Sequence, residues 1–215
     1  HYNLRKGIQA PDGTILIPIT SGYPWQTRHI GLIRSFDGIN WGDTATIAAE
    51  PLALAHYSSC AGFWEPSLQT LDDGTLVCAM VRDDRSSAPQ RQGKEKTRTG
   101  VYTDYLSSIL VSFSTDYGFS WSIPQETGLR GDFPSLMKVS DGSLVLNFSS
   151  RLGVRSEIHA ASSLDGVEWI DRILFSEKDA NFYSVHSVET EDHKLSVFTN
   201  AKEDKLRFTQ VISWS

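Results

Sequence analysis

The feature that most narrows what this chain can fold into is a turn written three times. The fullest copy, Ser114-Thr115-Asp116-Tyr117-Gly118-Phe119-Ser120-Trp121, closes an alternating strand over residues 109–114. Shorter copies are Ser35-Phe36-Asp37-Gly38-Ile39-Asn40-Trp41 and Ser163-Leu164-Asp165-Gly166-Val167-Glu168-Trp169, each behind an apolar-rich strand (29–34 and 157–161). The aspartate can accept backbone N–H groups inside the turn, the glycine can take positive φ, and the tryptophan can fold back as an apolar plug. Three copies in 215 residues imply a repeated unit. A repeat made of strands buries its faces against its neighbours, as a stack or a ring.

A second repeated element is a hairpin turn followed by a strand. Asp12-Gly13-Thr14, Asp73-Gly74-Thr75 and Asp141-Gly142-Ser143 precede apolar runs, and Asp192-His193-Lys194 is a copy without the glycine. Together the elements predict a unit of strand A, Asp-Gly hairpin, strand B, a variable connection, strand C, the Asp–Gly–Trp turn, and strand D. In the second unit these fall near 65–71, 75–82, 108–114 and after Trp121; in the third, A, B and C fall at 133–139, 143–149 and 157–161. The units run over 1–58, 59–128, 129–178 and 179–215, the last with strand C at 206–212 and no closing turn. Four such units fit a propeller better than an immunoglobulin-like sandwich, which has no need of one strand-closing turn three times. The expectation is all-β: four-stranded antiparallel blades in part of a larger ring, with a self-sufficient four-bladed ring as the alternative.

A net charge of −6 argues against nucleic acid or an anionic membrane surface as a partner, and no apolar run is long enough to span a bilayer. The chain starts at His1 inside what reads as ordered sequence, the expectation for a fragment or a processed chain. Cys60 and Cys78 are too few for a disulfide framework; Cys78 reads as a small buried hydrophobe, and one bridge stays open. His29, His56, His159, His186 and His193 have no metal-ligand spacing and read as surface or rim residues, so no metal or cofactor is expected. No Ser-His-Asp order, phosphate-binding loop or nucleic-acid module can be defended from the sequence. Residues 83–104 form a polar connection with Arg85, Arg91, Lys94, Lys96 and Arg98, readable as a functional loop or a solvated excursion.

The unit also predicts which side chains meet. The start of A, the end of B and the start of C share one rim; hairpins and Trp turns occupy the other. Counted back from the hairpin aspartates, Glu65, Asp132 and Tyr183 fall at matching strand starts; counted forward, Arg82 and Arg151 fall at matching strand ends. The two arginines either fork onto a carboxylate ligand or pair with nearby Asp83, Asp84 or Glu157. A carboxylate within reach of Tyr183 could take its proton, and a neutral hydroxyl approaches an acidic sugar with less repulsion than a carboxylate nucleophile. The other reading of Tyr183 is a capped rim residue. Tyr23, Trp25, Phe63 and Trp64 could form a sugar-stacking wall, while Trp41, Trp121 and Trp169 read as structural plugs.

On these residues the chain resembles the sialidase (neuraminidase) superfamily, whose six-bladed β-propeller carries Asp-box (BNR-repeat) turns of the Ser114–Trp121 kind. The resemblance covers nearly the whole chain and extends to order: a strand-start glutamate, an arginine, a second arginine one blade later, then a tyrosine in a Tyr-Ser context. It implies Asp boxes at Ser35, Asp37, Gly38 and Trp41, at Ser114, Asp116, Gly118 and Trp121, and at Ser163, Asp165, Gly166 and Trp169. It implies an exo-acting retaining glycoside hydrolase with Tyr183 as nucleophile, Glu65 as its proton partner, Arg82 and Arg151 gripping a substrate carboxylate, and Asp132 and Trp64 contributing to substrate binding. The partner implied is a glycan or glycoconjugate, and the location a secreted, extracellular or periplasmic one. Family members carry a further arginine and a catalytic acid aspartate ahead of their first Asp box. No stretch here matches, so the acid/base is expected outside this chain, with the remaining blades supplied by missing sequence or another chain. Trp64-Glu65-Pro66 is also similar to the exo-arabinanases, in which glutamates do the covalent chemistry; Glu65 and Asp132 would then be the pair of interest. A non-catalytic carbohydrate-binding or structural propeller is the reading from a different class.

Overall fold

The computed structural model describes residues 3–4, 6–22, 28–50, 62–83, 107–152, 155–178, 182–191, 194–201 and 205–213. Among these described residues, sixteen strands make four antiparallel sheets in chain order. The first holds β1 (Asn3–Leu4), β2 (Ile8–Gln9), β3 (Ile15–Ser21), β4 (His29–Ser35) and β5 (Gly42–Ala48), with β1 and β2 both paired to β3 as two halves of one inner strand. The second is β6 (Gly62–Thr70), β7 (Leu76–Asp83), β8 (Ser108–Ser114) and β9 (Gln125–Arg130). The third is β10 (Asp132–Lys138), β11 (Leu144–Leu152), β12 (Arg155–Ser163) and β13 (Ile170–Lys178), and the fourth β14 (Phe182–Glu189), β15 (Lys194–Ala201) and β16 (Lys205–Ser213). The A–B–C–D unit read from the sequence is thus the sheet, in the same strand order. β9 runs to Arg130, and its buried Leu129 packs in the core shared with the third sheet.

The hairpins form for the reason their sequences suggest. Asp12, Asp73 and Asp141 each accept the N–H of the residue two ahead, at 3.0, 2.9 and 2.8 Å, while Gly13, Gly74 and Gly142 take φ of +88°, +86° and +89°. Beyond the second hairpin the strand alternates between two cores. Leu76, Cys78 and Met80 pack with Leu16, Ile30 and Leu32 of the first sheet, whereas Val77 and Ala79 pack with Leu144, Leu146 and Phe148 of the third. Leu195 and Val197 continue the pattern against Val145, Ala160 and Ile158. A strand buried on both faces reads as a continuous apolar run, as Leu76-Val77-Cys78-Ala79-Met80-Val81 does. The Cys78 thiol is buried and free, with burial pushing its pKa up; Cys60 lies outside the described residues.

Each inner strand carries one extra residue against its partner. Leu4 pairs Ile19 but Ile8 pairs Leu16; Trp64 pairs Val81 but Ser67 pairs Ala79. Asp132 pairs Ser149 but Ser135 pairs Asn147, and Phe182 pairs Ala201 but Ser184 pairs Asn200. Pro66 and Pro134 sit inside these bulges, where a missing N–H disrupts no ladder bond.

Candidate active site

The bulges lie at the rim opposite the hairpins and re-aim the inner strands there. Glu65, Phe133 and Tyr183 each follow the last pair above the bulge, so these three are the equivalent positions of successive sheets. The hairpin count agrees for the second and third sheets: Glu65 and Phe133 each lie eight residues before their hairpin aspartate, and Asp132, nine before Asp141, matches Trp64 rather than Glu65. Glu65 and Phe133 share a left-handed backbone, at φ +53° and +59°. Glu65 is buried, and its Oε2 accepts the Phe133 N–H at 2.6 Å. That bond brings Glu65 beside the peptide that joins Phe133 to Asp132, so the two carboxylate residues are neighbours across the second and third sheets.

Arg82 lies opposite Phe63 at the upper end of β7 and reaches into the first sheet's territory. Its Nε donates to Glu50 Oε1 at 2.6 Å and its Nη2 to Glu50 Oε2 at 3.4 Å, with the guanidinium 5.9 Å above the Phe63 ring. The arginine therefore pairs with Glu50, which the sequence reading did not consider; the Asp83 side chain and Asp84 lie outside the described residues. The bond holds the Nε–Nη2 edge of the fork. Trp64 lies under Arg28, whose guanidinium carbon is 5.0 Å from the ring centroid, and its buried Nε1 finds no acceptor among the described residues. Arg151 pairs Ser156 at the upper end of β11 and Tyr183 lies in β14; both side chains, and Tyr23, Trp25, His56, His193 and 84–106, lie outside the described residues.

At the opposite rim the Asp boxes are hydrogen-bonded as their sequences require. Ser114 Oγ donates to Asp116 Oδ1 (2.8 Å) and accepts from Gly118 N (2.8 Å); Ser120 N and Oγ donate to Asp116 at 2.9 and 2.6 Å. Asp37 accepts from Ile39 and Asn40, and Asp165 from Val167 and Glu168. Trp121 and Trp169 are plugs, packed on neighbouring cores, with Nε1 on the carbonyls of Gly118 (3.2 Å) and Gly166 (3.0 Å). Trp41 is not: 41 % exposed, it packs into neither core. The second box also grips the first sheet. Arg34, buried, donates to Gly118 O at 2.8 Å and lies 3.8 Å over the Phe119 ring.

No family model and no curated protein matches the chain. Solved structures do. A protein of unknown function from Dyadobacter fermentans is 17 % identical with a TM-score of 0.67, over 94 % of this chain and 63 % of that one. A Hadza microbial sialidase is 15 % identical (TM-score 0.68; 92 % and 42 %), and an α-L-arabinanase from Penicillium chrysogenum 14 % identical (TM-score 0.64; 94 % and 59 %). The fold is the sialidase-type β-propeller. This chain spans less than two thirds of the length of each of the three, which accords with an incomplete ring.

One polar cluster of the propeller escaped the sequence reading. His159, far from being a surface residue, is buried and stacked on Phe148 at 4.6 Å. Its Nε2 lies 2.8 Å from Ser150 Oγ and its Nδ1 2.9 Å from Asp171 Oδ2, linking the three outer strands of the third blade. The order of a Ser-His-Asp relay is there in space, but Ser150 is in ladder register with Glu157. All three side chains stem from paired strands, and the chain of bonds ties them together as a cross-strand staple. The signal was available: in a hairpin pairing Arg151 with Ser156, Ser150 and His159 are diagonal neighbours on one face.

Proposed function

We propose that this chain is an exo-acting retaining glycoside hydrolase, or a portion of one, that removes a terminal acidic sugar, such as sialic acid, from a glycan. Tyr183 is the nucleophile and Glu65 takes its proton; Arg82 and Arg151 hold the substrate carboxylate, and Asp132 and Trp64 line the pocket. The acid/base aspartate comes from outside these residues. The observation that carries this reading is positional. Glu65 and Tyr183 occupy the same bulge position on the inner strands of the second and fourth blades, and the two arginines end the strands paired to the inner strands of the second and third. Buried Glu65 has the surroundings of a group held in place, and Arg82 is pre-oriented by Glu50.

A second reading has one observation in its favour. Glu65 touches the backbone next to Asp132, which suits a carboxylate pair of the arabinanase kind. Aryl sialoside and aryl arabinoside substrates separate the two. Under the first reading the sialoside is cleaved by the full-length protein, and Tyr183→Phe lowers kcat by roughly a thousandfold or more. Cleavage of the arabinoside alone, insensitive to Tyr183→Phe and lost in Asp132→Asn, would transfer the assignment to the carboxylates. Binding of the free sugar without turnover of either would leave a carbohydrate-binding propeller.

A further inference from the structure

The left-handed backbone of Phe133 belongs to the bulge of its own inner strand, and its amide is used by the neighbouring blade. A bulky L-residue at φ +59° is held there against a cost of about 1–2 kcal/mol. The same conformation occurs at Glu65 (φ +53°), in a closely parallel stretch: Trp64-Glu65-Pro66-Ser67-Leu68 against Asp132-Phe133-Pro134-Ser135-Leu136. The two bulges are joined. The Phe133 N–H donates to Glu65 Oε2 at 2.6 Å, and three residues on the Leu136 N–H donates to Ser67 Oγ at 2.9 Å. In extended backbone the amide at 133 would point along the sheet; the left-handed turn swings it toward the neighbouring blade. A carboxylate as buried as that of Glu65 depends on such donors.

We infer that Phe133 is a positioning residue: its strained backbone aims an amide at Glu65 and fixes where that carboxylate sits on the inner rim. The bulge of one blade thereby sets the proton acceptor of the next. The role in catalysis rests on the assignment of Glu65 as the partner of Tyr183, whereas the holding of the carboxylate does not.

The direct test replaces Phe133 with its α-hydroxy acid analogue, which keeps the ring and removes only the N–H. With an aryl sialoside, kcat should fall about tenfold while KM stays within about twofold, the scale of one lost hydrogen bond to a charged group. Phe133→Val, β-branched and ill-suited to positive φ, should lose at least as much, and Phe133→Gly less. Glu65→Gln, which still accepts the amide, should keep the thermal midpoint closer to wild type than Glu65→Ala does, while both lose turnover. A thermal-unfolding cycle between the ester and Glu65→Ala needs no substrate, and its two effects should be non-additive. Additive effects, or an ester with unchanged midpoint and kcat, would overturn the inference. Non-additivity in a protein that cleaves no sialoside would sink the assignment of Glu65 as partner of Tyr183 in sialoside cleavage and leave the positioning of Glu65 standing.

Discussion

Glycines of equal φ carry unequal loads in this chain. Gly118 sits at φ +86°, and a Cβ there would lie 2.9 Å from Leu32 Cδ2 in the next blade, with Leu16 and Leu76 methyls at 3.5 Å. Gly13, at φ +88°, would meet nothing within 4 Å. Gly13→Ala should therefore cost only the conformational term, about 1 kcal/mol, while Gly118→Ala adds overpacking of roughly 1–3 kcal/mol; urea unfolding of the two variants measures the difference. The sequence marks both glycines as turn residues but says nothing of what stands over them. The same holds for the tryptophans. Trp121, Trp169 and Trp41 share one motif position, yet whether a neighbouring core receives the ring is decided by the adjacent blade. Arg34 is the extreme case: a rim-end arginine in sequence, it is fully enclosed between Gly118 and Phe119.

The Asp box is an element whose strength depends on its charge. Asp116 is held down to about 2 from an ordinary 3.8 by Ser120, through its hydroxyl and its backbone N–H. Asp37 is lowered by the Asn40 and Ile39 amides, and Asp165 by those of Val167 and Glu168. For a carboxyl whose folded pKa is depressed, the stabilisation is fully present above the unfolded value and disappears as pH falls through the folded one. The boxes should hence loosen together as pH drops from about 4 to about 2 and below. Asp116→Asn, which keeps the shape and loses the charge, should be less stable than wild type near neutral pH, and the gap should close toward pH 2. Unfolding curves across that range check both statements. At this scale the sequence was informative because a strand-closing turn is local chemistry: hairpins, boxes and strands β7, β8 and β11 fall where the residues indicate. The bulges were not legible in the same way. An extra residue in a strand shows only against the partner it fails to match; the one-residue offset of Asp132 from Glu65, by contrast, stands in the hairpin count itself, nine residues against eight.

For the molecule as a whole, the informative comparison is between matching rows of the four second strands. Counted three, five and seven residues past the hairpin aspartate, the second blade has Leu76, Cys78 and Met80, the third Leu144, Leu146 and Phe148, and the fourth Leu195, Val197 and Thr199, all buried against the preceding blade. In the first blade the row is Ile15, Ile17 and Ile19, equally apolar and only half-buried. Ile17→Ser should cost about 1 kcal/mol in this chain, while Leu146→Ser, deep between two blades, should cost about 3 kcal/mol or more. Equal losses in urea unfolding would mean that the first blade's flank is covered after all. The ring direction was readable because the boxes orient every strand; the contents of the pocket were less so, since Glu50, the partner of Arg82, belongs to a different blade from the arginine it holds.

The extra residue in each inner strand also acts as a change of phase. Side chains of a strand alternate with period two, so one inserted residue exchanges the two faces above it while leaving those below untouched. Deleting a single residue from 64–67 would restore a continuous ladder and turn Trp64 and Phe63 to each other's sides. The chemistry at the rim and the packing beneath it are thus written in two frames along one strand, and substitutions in one can accumulate without disturbing the other.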